Sequence, residues 1–77
     1  MAEILPVITG KRVTAIDEVN ANLTYIGFAK LGTATSDGFW QIFRIQKIGS
    51  QTLIQYADGN TRYDNVWDNR ASLTYTN

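Results

Sequence analysis

FWQIFRIQKIGSQTLIQYADGNTRYDNVW, residues 39–67, is the stretch from which the fold is read. Asp58-Gly59 sits between two β-rich runs. A two-residue Asp-Gly loop signals a type I′ hairpin, because both central residues must take positive φ. Gly49-Ser50 suits the related type II′ turn, with Gly at the first central position. With two residues in each loop, Ile48 lies opposite Gln51 and Ala57 opposite Asn60. Counting back places Phe43 opposite Tyr56, Ile45 opposite Ile54, and Ile54 opposite Tyr63. Side chains alternate between faces along a strand, so Phe43, Ile45, Ile54, Tyr56, Thr61 and Tyr63 share one face. Arg44, Gln46, Gln55, Arg62 and Asp64 share the other, with Ile42 and Leu53 as apolar exceptions. The first face is expected in the core. A slip of one residue would scramble the division, which supports the register.

Composition agrees with a β protein. Thr, Ile, Val and aromatic residues are abundant, Met is scarce, and no window shows a helical apolar stripe over three turns. The chain's 77 residues make one small β domain, 1–77, near the size at which a single core suffices, so oligomerisation or partner contact is expected. The expected architecture is a small antiparallel barrel or sandwich of five to six strands, built on the three-stranded meander of residues 39–67.

Outside the meander, residues 1–10 (MAEILPVITG) are apolar but carry Pro6, which fits an edge strand or an arm docking on a neighbour. Ile4, Leu5 and Val7 are its candidate contacts. Thr9-Gly10 is a possible turn. After it, residues 11–16 alternate weakly, with Val13 and Ala15 against Arg12, Thr14 and Ile16. Residues 17–22 (DEVNAN) read as a loop with one helical turn. Residues 23–31 (LTYIGFAKL) form a strand apolar on both faces: Leu23, Tyr25, Gly27, Ala29 and Leu31 on one, Ile26 and Phe28 on the other. Such a strand is buried twice over or lies at a subunit contact. Gly27 marks a bulge, a bend or the close approach of another backbone. Residues 32–38 (GTATSDG) form a flexible surface loop of the kind that carries contacts; it lacks the Lys and following helix of a phosphate loop. Val66 and Trp67 close a polar corner against the core, with Asp68 and Arg70 as a candidate ion pair. Residues 71–76 make a last short strand.

No catalytic chemistry is legible. The chain has neither His nor Cys, which removes the usual triads, thiolate ligands and disulfides. Asp58, Asp64 and Asp68 are explained by turns and loops and do not form a glycosidase pair or a calcium loop. No enzyme, metal or cofactor is therefore expected. Seven basic and seven acidic residues cancel, so nothing draws the chain to nucleic acid or an anionic membrane. The aromatic residues that could stack on bases fall on the expected core face. The apolar run 4–8, broken by Pro6, is too short for a signal peptide or a membrane span, and the chain is expected to be made in the cytosol. Arg44, Gln55 and Arg62 line up across three strands in this register. That polar stripe is either solvated, partner-facing, or able to hold a carboxylate, phosphate or sugar hydroxyls.

The runs YIGFAKLGTATSDGFWQIFRI (25–45) and YADGNTRYDNVWDNRASLTY (56–75) resemble small structural proteins of tailed bacteriophages. The shared elements are an aromatic-Ile-Gly strand, a Gly-Thr-Ala-Thr-Ser loop, a Trp-Gln-Ile strand, an Ala-Asp-Gly turn and a closing VWDxRAxLTY. The resemblance covers about two thirds of the chain and implies a virion structural protein in the capsid (as cement or decoration) or in the tail or fibre. It implies other virion proteins and further copies of the chain as partners, and no cofactor. A second expectation, from the residues, is a binding module that takes carbohydrate or peptide through Arg44, Gln55 and Arg62. Working contacts are expected in the arm 1–10, at Ile26 and Phe28, and in the loop 32–38.

Overall fold

A computed structural model describes residues 12–76. Five antiparallel strands form one sheet in sequence order: β1 (Arg12–Asn20), β2 (Leu23–Lys30), β3 (Gln41–Ile48), β4 (Gln51–Ala57) and β5 (Tyr75–Thr76). A short 3-10 helix, Trp67–Ser72, precedes β5. The all-β antiparallel expectation holds. Among the described residues the sheet stays open and does not close into a barrel.

Both expected turns form. Asp58 and Gly59 take φ of +59° and +70°, as a type I′ turn demands; Gly49 takes +63° with Ser50 at negative φ, matching type II′. The β3–β4 register is the one counted from the turns: Phe43 faces Tyr56, Arg44 faces Gln55, Ile45 faces Ile54 and Ile48 faces Gln51.

The expected third strand of the meander does not form, and Ile54 does not face Tyr63. After the Asp58-Gly59 turn the chain leaves the sheet, and β5 takes the place beside β4, with Tyr56 opposite Thr76 and Ala57 opposite Tyr75. The Asp58 N–H donates to the Thr74 carbonyl at 2.7 Å, extending that pairing. Residues 60–64 supply local bonds in its stead: the Arg62 N–H donates to Asn60 Oδ1 at 2.9 Å, an Asx-type turn. Polar side chains that satisfy nearby backbone groups compete with ladder pairing. Residues 17–20, expected in a loop with a helical turn, instead finish β1, which carries a register shift between Glu18 and Asn20. Asn20 Oδ1 then accepts the Asn22 N–H at 2.8 Å and tightens the turn into β2.

The core lies on the opposite face from the one expected. Tyr25, Ala29, Trp40, Ile42, Ala57 and Trp67 are buried, with Val13, Ala15, Leu23, Leu73 and Tyr75 packed around them. Ile42 and Leu53, the apparent exceptions of the polar face, therefore belong to the covered side. The indoles of Trp40 and Trp67, ring centroids 5.8 Å apart, fill the room above Gly27, and Ala29 and Ala57 are buried in the same cluster. Trp67 closes the corner against the core as expected. Gly27 is approached by the Trp67 side chain rather than by backbone.

The segment after β4 straps this face. Trp40 and Asn65 exchange two backbone hydrogen bonds, of 2.9 and 3.0 Å, which dock the strap at the start of β3. The Asp68 N–H then donates to the Thr35 carbonyl, and Trp40 Nε1 donates to the Ala34 carbonyl at 2.9 Å. The first bond ties the 32–38 loop to the strap, and the second ties it to the start of β3. The arm, residues 1–10, with Ile4, Leu5, Val7 and the Thr9-Gly10 turn, lies outside the described residues.

Candidate functional site

The sheet has two unlike faces, and two of the polar residues singled out from the sequence, Arg44 and Gln55, fall on the covered one. Arg44 Nε donates to Gln55 Oε1 at 2.7 Å, and the Arg44 guanidinium lies 4.7 Å from the centroid of the Tyr75 ring. Tyr75 also packs against Tyr25, ring centroids 5.7 Å apart, and donates its hydroxyl to the Arg70 carbonyl at 2.7 Å. Burial is the main cause that lifts the Tyr75 hydroxyl well above its ordinary pKa. The nearby Tyr25 adds to the rise, while Arg44 and Arg70 pull against it. Arg70 meets Asp17 of β1 at 3.0 Å, not Asp68 as expected, and donates to the Trp67 carbonyl at 3.1 Å. These groups bind one another and hold the strap down. Arg62 sits on the exposed segment after the Asp58-Gly59 turn, so Arg44, Gln55 and Arg62 form no stripe.

The opposite face carries the apolar side chains. Strand alternation puts Ile16 of β1, Ile26 and Phe28 of β2, Phe43 and Ile45 of β3, and Ile54 and Tyr56 of β4 on it. Register aligns four of them in one row: Ile16 faces Ile26, Ile26 faces Phe43, and Phe43 faces Tyr56. Phe28, Phe43 and Tyr56 make a file of rings with centroid separations of 5.8 and 5.3 Å. Ile16 is 64% exposed and Ile54 55% exposed, while the five between them are half-buried by one another. Arg12 covers one end of the file, its guanidinium 4.0 Å from the centroid of the Phe28 ring.

The ends of this face carry charge. Arg12 and Lys30 are paired across β1 and β2 at one end; Glu18 and Lys47 stand at the other. Among the described residues no group of His, Cys, Asp or Glu is arranged to hold a metal ion. A seven-residue apolar patch spanning four strands is larger than scattered surface hydrophobics, and contiguous patches of this kind mark interaction surfaces.

Of the eight residues singled out from the sequence, Ile26 and Phe28 fall on this surface. Arg44 and Gln55 lie on the covered face beside Tyr75, Arg62 lies outside the sheet, and Ile4, Leu5 and Val7 lie outside the described residues. Ile16 also lies on this surface without a signal in the sequence, and Phe43, Ile45, Ile54 and Tyr56, expected in the core, lie on it too. The parity of Trp40 with Ile42 was the available signal. Two large residues share that face, opposite a strand carrying Gly27 and Ala29. Comparison of the chain with protein-family models, curated proteins and solved structures yields no match.

Proposed function

We propose that this chain is a non-enzymatic assembly module of a tailed-bacteriophage particle, seated in the virion by its open sheet face. The observation that carries the reading is the apolar surface of Ile16, Ile26, Phe28, Phe43, Ile45, Ile54 and Tyr56, on the face opposite the core. Two tryptophans and the strap already fill the other face. Burying the open face against neighbours supplies the association energy, and many copies on one particle multiply modest affinities through avidity. The resemblance of residues 25–45 and 56–75 to small phage structural proteins supports the setting. Both a capsid decoration role and a tail or fibre role use the same contact.

A carbohydrate- or peptide-binding role through Arg44, Gln55 and Arg62 has no support from the geometry, because the stripe is not formed and Arg44 is committed to Gln55 and Tyr75. Aliphatic side chains surround the ring file, which favours a protein partner over stacked bases.

The test is incorporation into particles. Tagged wild-type chain and the Phe43→Asp variant are supplied during infection by the phage that encodes the protein, and purified virions are examined by mass spectrometry. Wild type is expected in the particles and the variant is expected to be lost from them. Wild type missing from purified virions overturns the reading.

A further inference from the structure

We propose that the outer edge of β1 pairs antiparallel with the same edge of a second copy, joining two five-stranded sheets into one. The inference deepens the assembly reading and rests on it for what the joined surface then meets. The two terminal strands of the sheet differ. β5 is two residues long, whereas β1 runs for nine. An edge strand presents a row of unpaired N–H and C=O groups, which short length, proline or charge normally blunts. β1 has no proline, and its stretch Thr14-Ala15-Ile16 carries no charge.

The ladder fixes which groups point outward. The Lys47 N–H donates to the Asn22 carbonyl, so by alternation Thr24, Ile26 and Phe28 bond to β3. Tyr25, Gly27 and Ala29 therefore bond to Asp17, Ala15 and Val13 of β1. The main-chain groups of Arg12, Thr14, Ile16 and Glu18 are left facing outward, with no pairing strand among the described residues. A register shift after Glu18 ends the regular edge.

A two-fold axis normal to the sheet at Ala15 maps this outward set onto itself. An isologous contact needs that self-complementarity. Arg12 then lies opposite Glu18 of the second copy and Thr14 opposite its Ile16, each pair exchanging both main-chain bonds. Opposed residues share a face, so Arg12 and Glu18 side chains meet on the open side at both ends of the joint. Within one chain they stand about 20 Å apart at strand rise. Axes at Thr14 or Ile16 would set Arg12 against Ile16 or Asn20 instead. Charge thus selects the Ala15 register. On the covered side Val13 faces Asp17 of the second copy, and that carboxylate stays with its own Arg70.

The operation keeps both open faces on one side of the joined sheet. Ile16, 64% exposed in the single chain, gains Thr14 of the second copy as its cross-strand neighbour. The row Tyr56–Phe43–Ile26–Ile16 runs on into Thr14 and Phe28 of that copy. Main-chain bonds give such a joint its affinity, and the pair presents a doubled apolar surface to the particle.

A single introduced cysteine reports the register, because the chain has none of its own. Ala15→Cys faces its own copy across the axis in a non-hydrogen-bonded pair, Cα atoms about 4.5 Å apart, within disulfide range. It should oxidise to a covalent dimer. Val13→Cys, on the same face but opposite residue 17, should not. In sedimentation equilibrium the full wild-type chain should be a dimer. Thr14→Pro should abolish it and Thr14→Val keep it, because the Thr14 N–H points away from β2. Arg12→Glu and Glu18→Arg should each weaken the dimer by about three- to tenfold, and the double reversal should restore it. Circular dichroism and thermal melts establish that each variant folds.

A monomeric wild type overturns the proposal, and so does failure of Ala15→Cys to cross-link. A double reversal without rescue does the same, as does Thr14→Cys or Ile16→Cys cross-linking in preference to Ala15→Cys. A dimer indifferent to Thr14→Pro but lost on Phe43→Asp would mean contact through the open face, which also overturns it. The two readings fail separately. A monomer incorporated into virions keeps the assembly reading and sinks the edge dimer, and a cross-linking dimer absent from virions does the reverse.

Discussion

The indole of Trp67 rests directly on Gly27. A Cβ at position 27 would stand 2.6 Å from Trp67 Cε3 and 3.1 Å from Trp40 Cε3, closer than side-chain atoms tolerate. Residues forty apart in sequence are thereby fitted to each other, and the strap's position over the sheet follows from the missing side chain.

Gly27→Ala should accordingly destabilise the protein by about 1–3 kcal/mol through overpacking. The sign is informative, because Gly to Ala at an unobstructed site usually stabilises by several tenths of a kcal/mol. Urea unfolding monitored by tryptophan fluorescence measures it. A variant as stable as wild type would mean that the indole does not sit on position 27.

The assignment of faces can be read from two isoleucines on one strand. Ile42 is almost wholly buried, whereas Ile45 is half-buried on the open side. Ile42→Ala should cost about 2–5 kcal/mol from lost transfer energy and the cavity left behind. Ile45→Ala, measured below the concentration at which copies associate, should cost less than about 1 kcal/mol. The reverse order would put the core on the Phe43 face.

Arg70 fastens the strap to β1 through Asp17 Oδ2 at 3.0 Å, and braces the strap itself through the Trp67 carbonyl at 3.1 Å and the Trp67 ring at 4.7 Å. Arg70→Ala should cost about 1–3 kcal/mol, most of it from the carbonyl bond and the ring packing. A double-mutant cycle with Asp17→Asn should isolate no more than about 1 kcal/mol for the ion pair, because both side chains are partly solvated.

Tyr75 makes stability fall on the alkaline side. Burial, then Tyr25, hold its hydroxyl protonated in the native state beyond the ordinary tyrosine range. Below about pH 10, the unfolded phenol's pKa, folded and unfolded chains both keep the proton and this group adds no pH dependence. Above it the unfolded chain releases a proton that the native chain retains, so stability drops as pH rises. Tyr75→Phe should flatten that alkaline drop. Near neutrality the variant should lose about 1 kcal/mol, the worth of the bond to the Arg70 carbonyl. Denaturant titrations from pH 7 to pH 11 on both proteins compare the slopes.

Much of the sheet was legible locally. Asp58-Gly59 and Gly49-Ser50 set their turns through φ preferences that need no distant partner, and the hairpin register follows by counting from Gly49-Ser50. Period-two alternation also sorts β2 and β3 into the right pairs of faces. It does not say which face is covered. The Phe43–Tyr56 face holds more of the large apolar side chains of β3 and β4 and reads as core from alternation alone, whereas the face that is covered carries Arg44, Gln55 and several small residues.

The strand lost after Asp58-Gly59 has a related cause. A type I′ turn bends the chain back, but β4 has one free edge, and residues 60–64 must outcompete β5 for it. Asn60 satisfies nearby backbone, Asn65 joins Trp40, and Tyr75–Thr76 take the edge.

The linear chain therefore determines its turns, its strand pairing from β3 to β4 and the sorting of residues into two faces, because each depends on dihedral preferences and alternation within a few residues. Which face is core depends on two indoles finding Gly27 beneath them, in a cluster with the small Ala29 and Ala57. That is a match of volumes between segments far apart in sequence. Alternation carries no record of it, and packing alone settles it.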